Sequence, residues 1–392
     1  MREKHSTVRT PVQLPQTRLK KPNRHRDAWL LRRRRKTLKL ERRLALRKRH
    51  RRRFGPVRVP PSKDEKPKSK RTNVRGHEVT LPERLDLDAN YSATISAMHK
   101  VRLAAQRQFR MRYLNFDHIR HISPSAALLL ASEIDRWNDS IGGRIRARDD
   151  GWDPAIRHLL CEMGLFELLG LKRPRETDGV VNTTFLPFVR GNVGDRTQAG
   201  IQAKQLRQQI EAAAGTDIKK HLLFDGLTEA VTNVCQHAYR KRGRRSKRYS
   251  PWWMSAAYAP TTNTVTVTFY DHGLTIPGTL PASQKMERWK HRLGWWDDGQ
   301  RIRAAMTIGR SSTGKSGRGK GLQNFLELIA AYRESMLVLS SRHGRLSVRN
   351  TGRARLEYRT QTLENPVQGT LIEWHFVPKT ATNLARNAHF HR

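Results

Sequence analysis

The chain has two cysteines in 392 residues, Cys161 and Cys235, and both sit in apolar helical contexts. Two such thiols make a disulfide framework an unsuitable reading and suit a reducing compartment, where free cysteine behaves as a small buried hydrophobe. Long apolar runs are also missing: "AALLLA", Ala126 to Ala131, is the longest candidate, far short of the roughly 20 residues of a spanning helix. The N-terminus lacks the apolar core of a signal peptide, so the expectation is no membrane and a cytoplasmic location. Acidic residues are scarce. Against 77 Lys+Arg stand 34 Asp+Glu, a formal net charge of +43, far from the balance of an ordinary metabolic enzyme. A field of that sign attracts polyanions.

The charge is uneven. Residues 1–75 hold 29 Lys+Arg and five Asp+Glu, more than half of the total excess. Within them "DAWLLRRRRKTLKLERRLALRKRHRRR" could become helical on a polyanion, since Leu and Arg are good helix formers, but its self-repulsion predicts disorder in isolation. The expectation is a basic tail over 1–75 that contacts nucleic acid through its phosphates; a solvated tail that only aids solubility is the blander alternative.

Globular patterning begins near Glu78. "RYLNF" (112–116) reads as a strand and "PSAALLLASEIDRWNDS" as a helix from Pro124. "GRIRAR" (143–148) reads as a strand and "PAIRHLLCEMGLFELLGL" as a helix opened by Pro154. The alternation predicts an α/β domain over 76–172. A breaker-rich linker, 173–200, leads to a second region in which Gln202 to Ala214 and Lys220 to Tyr239 read as helices. There "TVTVTFYD" (Thr264 to Asp271) alternates as a half-buried strand does. "SMLVLSS", "ARLEYRT" and "GTLIEWHFV" follow without an intervening helix, which predicts antiparallel pairing. The expected class is α/β, two α/β domains behind a disordered basic tail, with 381–392 as a C-terminal tail.

"GRSSTGKSGRGKGL" (Gly309 to Leu322) admits two readings. From Gly309 it matches the P-loop pattern, with Lys315 for a phosphate and Ser316 for a metal. However, "DDGQRIRAAMTI" before it is too charged and helix-like for the strand a P-loop needs. Gly317, Gly319 and Gly321 would also break the helix that should follow, at about 1 kcal/mol each. From Gly317 it is G-x-G-x-G-L, whose bare amides could approach a phosphate before a helix that starts at Leu322. Lys315, Arg318 and Lys320 add positive charge there.

Upstream, Glu229, Asn233 and His237 recur every four residues along one border of the apolar stripe formed by Leu223, Leu227, Ala230, Val231, Val234 and Ala238. A carboxylate and a carboxamide one turn apart suit a magnesium nucleotide: the Asn oxygen for the metal, the Glu for a proton from water or a hydroxyl. Asp271 ends its strand in "DHG", where it could accept from a purine amine and Gly273 could let the chain turn. Gly369-Thr370 opens the last strand, where a hydroxyl could complete a base pocket.

In order and spacing these four elements resemble the GHKL, or Bergerat, ATP-binding fold of histidine kinases, anti-sigma-factor serine kinases and gyrase-type ATPases. The resemblance covers about Gln202 to Pro378, within a domain placed at 201–380. Glu229 and Asn233 match its E-x-x-x-N box, and His237-Ala238 matches its anti-sigma-type branch. Asp271 and Gly273 match D-x-G-x-G, with Thr275 at the second Gly. Gly317, Gly319, Gly321 and Leu322 match the third box, and Gly369-Thr370 the last. It implies ATP and Mg2+ as cofactors and a Bergerat α/β sandwich with a mixed, mainly antiparallel sheet. By the resemblance Asn233 would hold the metal, Asp271 would bind adenine and Glu229 would serve as general base. Residues 278–316, with Trp289, Trp295 and Trp296, would form a lid.

The 76–172 segment resembles the STAS domain of anti-sigma-factor antagonists. "HISPSAAL" matches its D-S-[ST]-G helix start, with Ser125 at the phosphoserine, Ser123 at the Asp and Ala126 at the Gly. Ser125 is expected to be a helix-start residue rather than a phosphorylation site. Together the resemblances imply ATP hydrolysis or γ-phosphate transfer to a protein under control of the STAS-like segment, and a regulatory protein partner of the sigma/anti-sigma type. They leave a homodimer open. The rival reading is a nucleic-acid-binding protein that works through its tail and uses the nucleotide fold as a scaffold.

Overall fold

The computed structural model describes residues 77–103, 111–141, 145, 147–174, 182–193, 196–216, 218–239, 250–279, 297–308 and 321–378. The basic tail, the three lid tryptophans and Gly309 to Lys320 lie outside the described residues.

Strands β1 (His77–Thr80), β2 (Arg84–Leu85), β3 (Met111–Asn115) and β4 (His121–Ile122) pair in parallel as β1–β3 and β2–β4. Helices α1 (Tyr91–Leu103) and α2 (Pro124–Ile141) run between and after them. Ser123 starts α2, accepting from the Ala126 N–H at 3.4 Å. Ser125, the second residue of α2, is buried beside Glu373. The single helix expected over 154–171 is two, α3 (Pro154–Glu162) and α4 (Leu165–Leu169). Gly164 sits between them at φ 92°, a left-handed conformation that ends the first helix. Asp153 caps α3, accepting from Ala155 N at 3.0 Å and Ile156 N at 3.2 Å, ahead of Pro154 at the first helical position. The strand expected over 143–148 is not formed at its described residues, although Ile145 and Ala147 are buried as inward strand residues would be.

Strands β5 (Thr184–Phe185), β6 (Val189–Asn192), β7 (Pro251–Ala259), β8 (Thr264–Asp271), β9 (Ser335–Asn350) and β10 (Glu357–Phe376) form a six-stranded sheet. Its order is β5-β7-β8-β10-β9, with β6 also on β7, and all of its ladders are antiparallel. The fold is therefore α/β with a mainly antiparallel sheet, as expected. Three expected strands become two: β10 joins "ARLEYRT" to "GTLIEWHFV" across a register shift between Thr362 and Thr370.

Strand alternation sorts the sheet's side chains onto two cores. Trp252, Met254, Val267, Phe269, Ile372 and Trp374 face one core with α5 (Arg196–Ala214), α6 (Lys220–Asn233) and α9 (Gly321–Ala331). Leu223, Leu227 and Val231 are the stripe that α6 buries there, and Phe325, Leu328 and Ile329 come from α9. Trp253, Tyr270 and Leu371 face the other core, which is shared with α1, α2, α3 and α4. Trp137, Trp252, Trp253 and Trp374 are all fully buried. Each such aromatic removes roughly 150–250 Å² from water and dominates its layer energetically. The aromatic Trp252 explains Gly191 on the neighbouring strand: a Cβ there would lie 2.0 Å from the indole. Helix α8 (Asp298–Ile308) falls within the 278–316 segment expected as a lid, and α7 (Ile276–Thr279) runs into its start.

Candidate functional site

Helix α6 delivers the first part of the site. Burial of Leu223, Leu227 and Val231 turns its other border outward, leaving Glu229 and Asn233 half-buried and His237 exposed. The helix continues beyond Asn233 as a π-helical turn, Val234–Ala238, a form that is often found at functional sites. Burial raises the pKa of the Glu229 carboxyl, while the neighbouring Asn233 side chain acts to lower it. The Asn233 Nδ2 is buried without a well-formed hydrogen bond.

Strand β8 delivers Asp271, 4% exposed at the strand's C-terminal end. Burial pushes its carboxyl up to about 7, opposed by the Gly273 N–H, which donates to Oδ1 at 2.6 Å. Asp271 shares the parity of Val265, Val267 and Phe269, so it belongs to the sheet face that carries α6. Thr370 is its cross-strand neighbour on β10, and Ser341 is in turn the neighbour of Thr370 on β9. Asp271, Thr370 and Ser341 thus form a polar row across three strands. The Ser341 and Thr370 hydroxyls are 3.2 Å apart, and Ser341 Oγ donates to Gly369 O at 2.9 Å and accepts from Ile276 N at 3.0 Å.

Two glycines let these pieces meet. A Cβ on Gly273 would lie 2.3 Å from Ala238 Cβ and 2.7 Å from Ala238 O. The next amide, Leu274 N–H, donates to Ala238 O at 2.6 Å. The end of the Glu229–Asn233–His237 helix is therefore in contact with the Asp271 turn. Gly369, at φ 92°, passes so close that a Cβ would lie 1.8 Å from Asp271 O.

Of the residues singled out in the sequence, the structure thus brings the end of α6, Asp271, Gly273 and Thr370 to one end of one sheet face. Gly321 and Leu322 open α9, which packs beside α6: Gly226 of α6 approaches Asn324 O of α9. Lys315, Gly317, Arg318, Gly319 and Lys320 lie outside the described residues. The residues that precede Gly309 form helix α8, not the buried strand a P-loop requires. Cys161 is buried as expected and Cys235 only partly so, its thiol lying 3.4 Å from Val193 O; both are free. Tyr239, His272 and Ser341 belong to the site and were not singled out. No motif marks Tyr239 or Ser341, whereas His272 stands inside the "DHG" triplet. Among the described residues no three His, Cys, Asp or Glu side chains cluster as a metal cage.

The fold and the site define an α/β protein with a buried polar row at one end of a two-faced antiparallel sheet. No protein-family model matches the chain, and no curated protein matches it. Among solved structures it is similar to the topoisomerase IV ATP-binding domain of Francisella tularensis, in complex with a small-molecule inhibitor. The identity is 11% and the TM-score 0.22, over 51% of this chain and 47% of that one. The chain spans about half the length of that protein, and so slight a likeness carries no argument about the site. No described helix is long and apolar enough to cross a membrane.

Proposed function

We propose that this chain is an ATP-binding protein of the GHKL class that hydrolyses ATP or transfers its γ-phosphate to a protein. Its STAS-like segment, 76–172, would regulate the ATP-binding region, 201–380. One observation carries the reading. The Asp271–Gly273 turn meets both the π-helical end that follows α6, at Ala238, and Gly369-Thr370, at Asp271 O, although these pieces lie up to about 140 residues apart in sequence.

Each side chain has a defined task. Asp271, with Thr370 beside it, accepts from the exocyclic amine of the base, and its burial excludes water from that hydrogen bond. Asn233 offers a carboxamide oxygen to Mg2+. Bound Mg2+ supplies charge neutralisation for the phosphates. Glu229, with its carboxyl moved toward neutrality by burial, is suited to take a proton from the attacking water or hydroxyl. His237, exposed one turn on, and the cations Lys315, Arg318 and Lys320 would meet the phosphates, with the amides of Gly317, Gly319, Gly321 and Leu322 beneath them.

The test is incubation of the full-length protein with γ-labelled ATP and Mg2+, beside Glu229→Ala and Asn233→Ala variants. Retained binding with turnover reduced about 10²- to 10⁴-fold is expected for Glu229→Ala. Label on protein identifies a kinase, and label in free phosphate an ATPase. Failure of the wild type to bind nucleotide refutes the reading. The second reading, nucleic-acid binding through residues 1–75, is favoured by their excess of 24 positive charges. It predicts an affinity for nucleic acid that falls steeply with salt.

A further inference from the structure

Asp271 ends β8 and His272 follows it directly, and their side chains leave opposite faces of the sheet. Asp271 belongs to the α6 face. His272, 6% exposed, points into the core shared with α2. There its Nε2 lies 3.3 Å from Ser132 Oγ and 3.5 Å from Glu133 Oε1, both on α2. Its ring is held between Trp253, at 4.6 Å between centroids, and Tyr270, at 4.9 Å. Glu133, 1% exposed, is anchored in turn by Arg102 of α1, whose Nε donates to Oε1 at 3.0 Å. Half a turn on, Asp135 accepts from Trp253 Nε1 at 3.1 Å and pairs with Arg190 at 3.0 Å. From the other direction, the His272 amide donates to Tyr239 Oη at 3.2 Å, and Tyr239 donates to Pro251 O at 2.7 Å.

One residue between Asp271 and Gly273 is therefore held at its main chain by the end of the α6 segment and at its side chain by α2. A buried ionic cluster is a costly way to fill a wall that apolar side chains could fill more cheaply. What it provides here is a directional contact that ends on the backbone of the turn carrying Asp271. We infer that Glu133, with Ser132, is a positioning residue for the nucleotide site, acting through His272, and that α2 is the element by which the 77–172 segment sets ATP affinity. The affinity part of this inference rests on the ATP-binding reading above; the positioning part does not.

The experiment uses the full-length protein as wild type, Glu133→Gln, Ser132→Ala and a control, Glu167→Gln, which removes an exposed α4 carboxylate paired with Arg173. Two quantities are read: the Kd for ATP with Mg2+, and hydrogen exchange at the Gly273 and Leu274 amides relative to amides in the middle of β8. For Glu133→Gln the Kd is expected to rise about tenfold, with about tenfold faster exchange confined to the turn. Ser132→Ala, which removes the hydroxyl that meets His272 and also donates to Leu129 O at 2.7 Å within α2, should shift both about threefold. Glu167→Gln should shift neither. Unchanged Kd and exchange in both α2 variants overturn the inference, as does exchange that accelerates equally along all of β8, which marks a purely structural role. If Glu133→Gln fails to fold, Ser132→Ala decides alone. If the wild type does not bind ATP but the turn loosens selectively, the ATP reading fails and the positioning role stands.

Discussion

Replacing Gly369 with alanine tests the contact that joins the last strand to the Asp271 turn. Two costs combine. The backbone sits at φ 92°, which an L-residue with a Cβ occupies at a penalty of roughly 1–2 kcal/mol. The new methyl would lie 1.8 Å from Asp271 O and 3.0 Å from His272 Cα, neither of which is the end of a flexible side chain. Overpacking of this kind costs about 1–3 kcal/mol, so the sum is about 2–5 kcal/mol. Gly215 provides the comparison. It is also left-handed, at φ 61°, but a Cβ there meets nothing within 4 Å, so Gly215→Ala should lose only the conformational part, about 1 kcal/mol. Urea unfolding of the two variants at constant m value measures the difference. Equal losses in the two proteins would show that the close approach at Asp271 O is not what makes glycine necessary, and the assembly of the site through that contact would be refuted.

Gly273→Ala should cost about 1–3 kcal/mol through contact with Ala238 and abolish ATP binding even where the protein remains folded, checked by calorimetry beside the same urea curves. For Asp271 the native carboxyl is raised to about 7, so the native state holds a proton that the unfolded chain releases near the ordinary value of 3.8. Stability should therefore fall as pH rises between these values, and Asp271→Asn should flatten that slope and gain up to about 4 kcal/mol at pH 8, read from unfolding midpoints across pH. In the wild type, ATP affinity should rise with pH through about 7 as the carboxylate forms, and a flat profile would count against Asp271 as the base-binding acceptor. Tyr239→Phe leaves the His272 amide and Pro251 carbonyl short of a partner and should cost about 1–3 kcal/mol by urea unfolding.

The legible parts of this chain were those whose signal is local. The amphipathic stripe of α6 predicted which border would remain outward, and Thr-Val alternation predicted β8 with Asp271 at its end, because period and burial are coupled residue by residue. The charged, helix-like run before Gly309 was sufficient to predict that no P-loop strand would precede it, and α8 stands there. Strand β7, "PWWMSAAYA", was not legible: buried on both faces, it has no alternation to read. At the described residues of the strand expected over 143–148 the opposite holds: Ile145 and Ala147 alternate in burial, yet burial alone does not require a ladder partner.

The sequence by itself determined the charge imbalance, the α/β alternation and the spacing of Glu229, Asn233 and His237 on one helical border. Each is a property of composition or of a single element's periodicity. Only the tertiary structure decided that Thr370 would stand opposite Asp271, that Ser341 would extend their row, and that Gly273 and Gly369 would be the points of closest approach. It alone also placed His272 against Glu133 on the far face. Register between strands distant in sequence is set by the packing of both faces at once, and no local pattern carries that information.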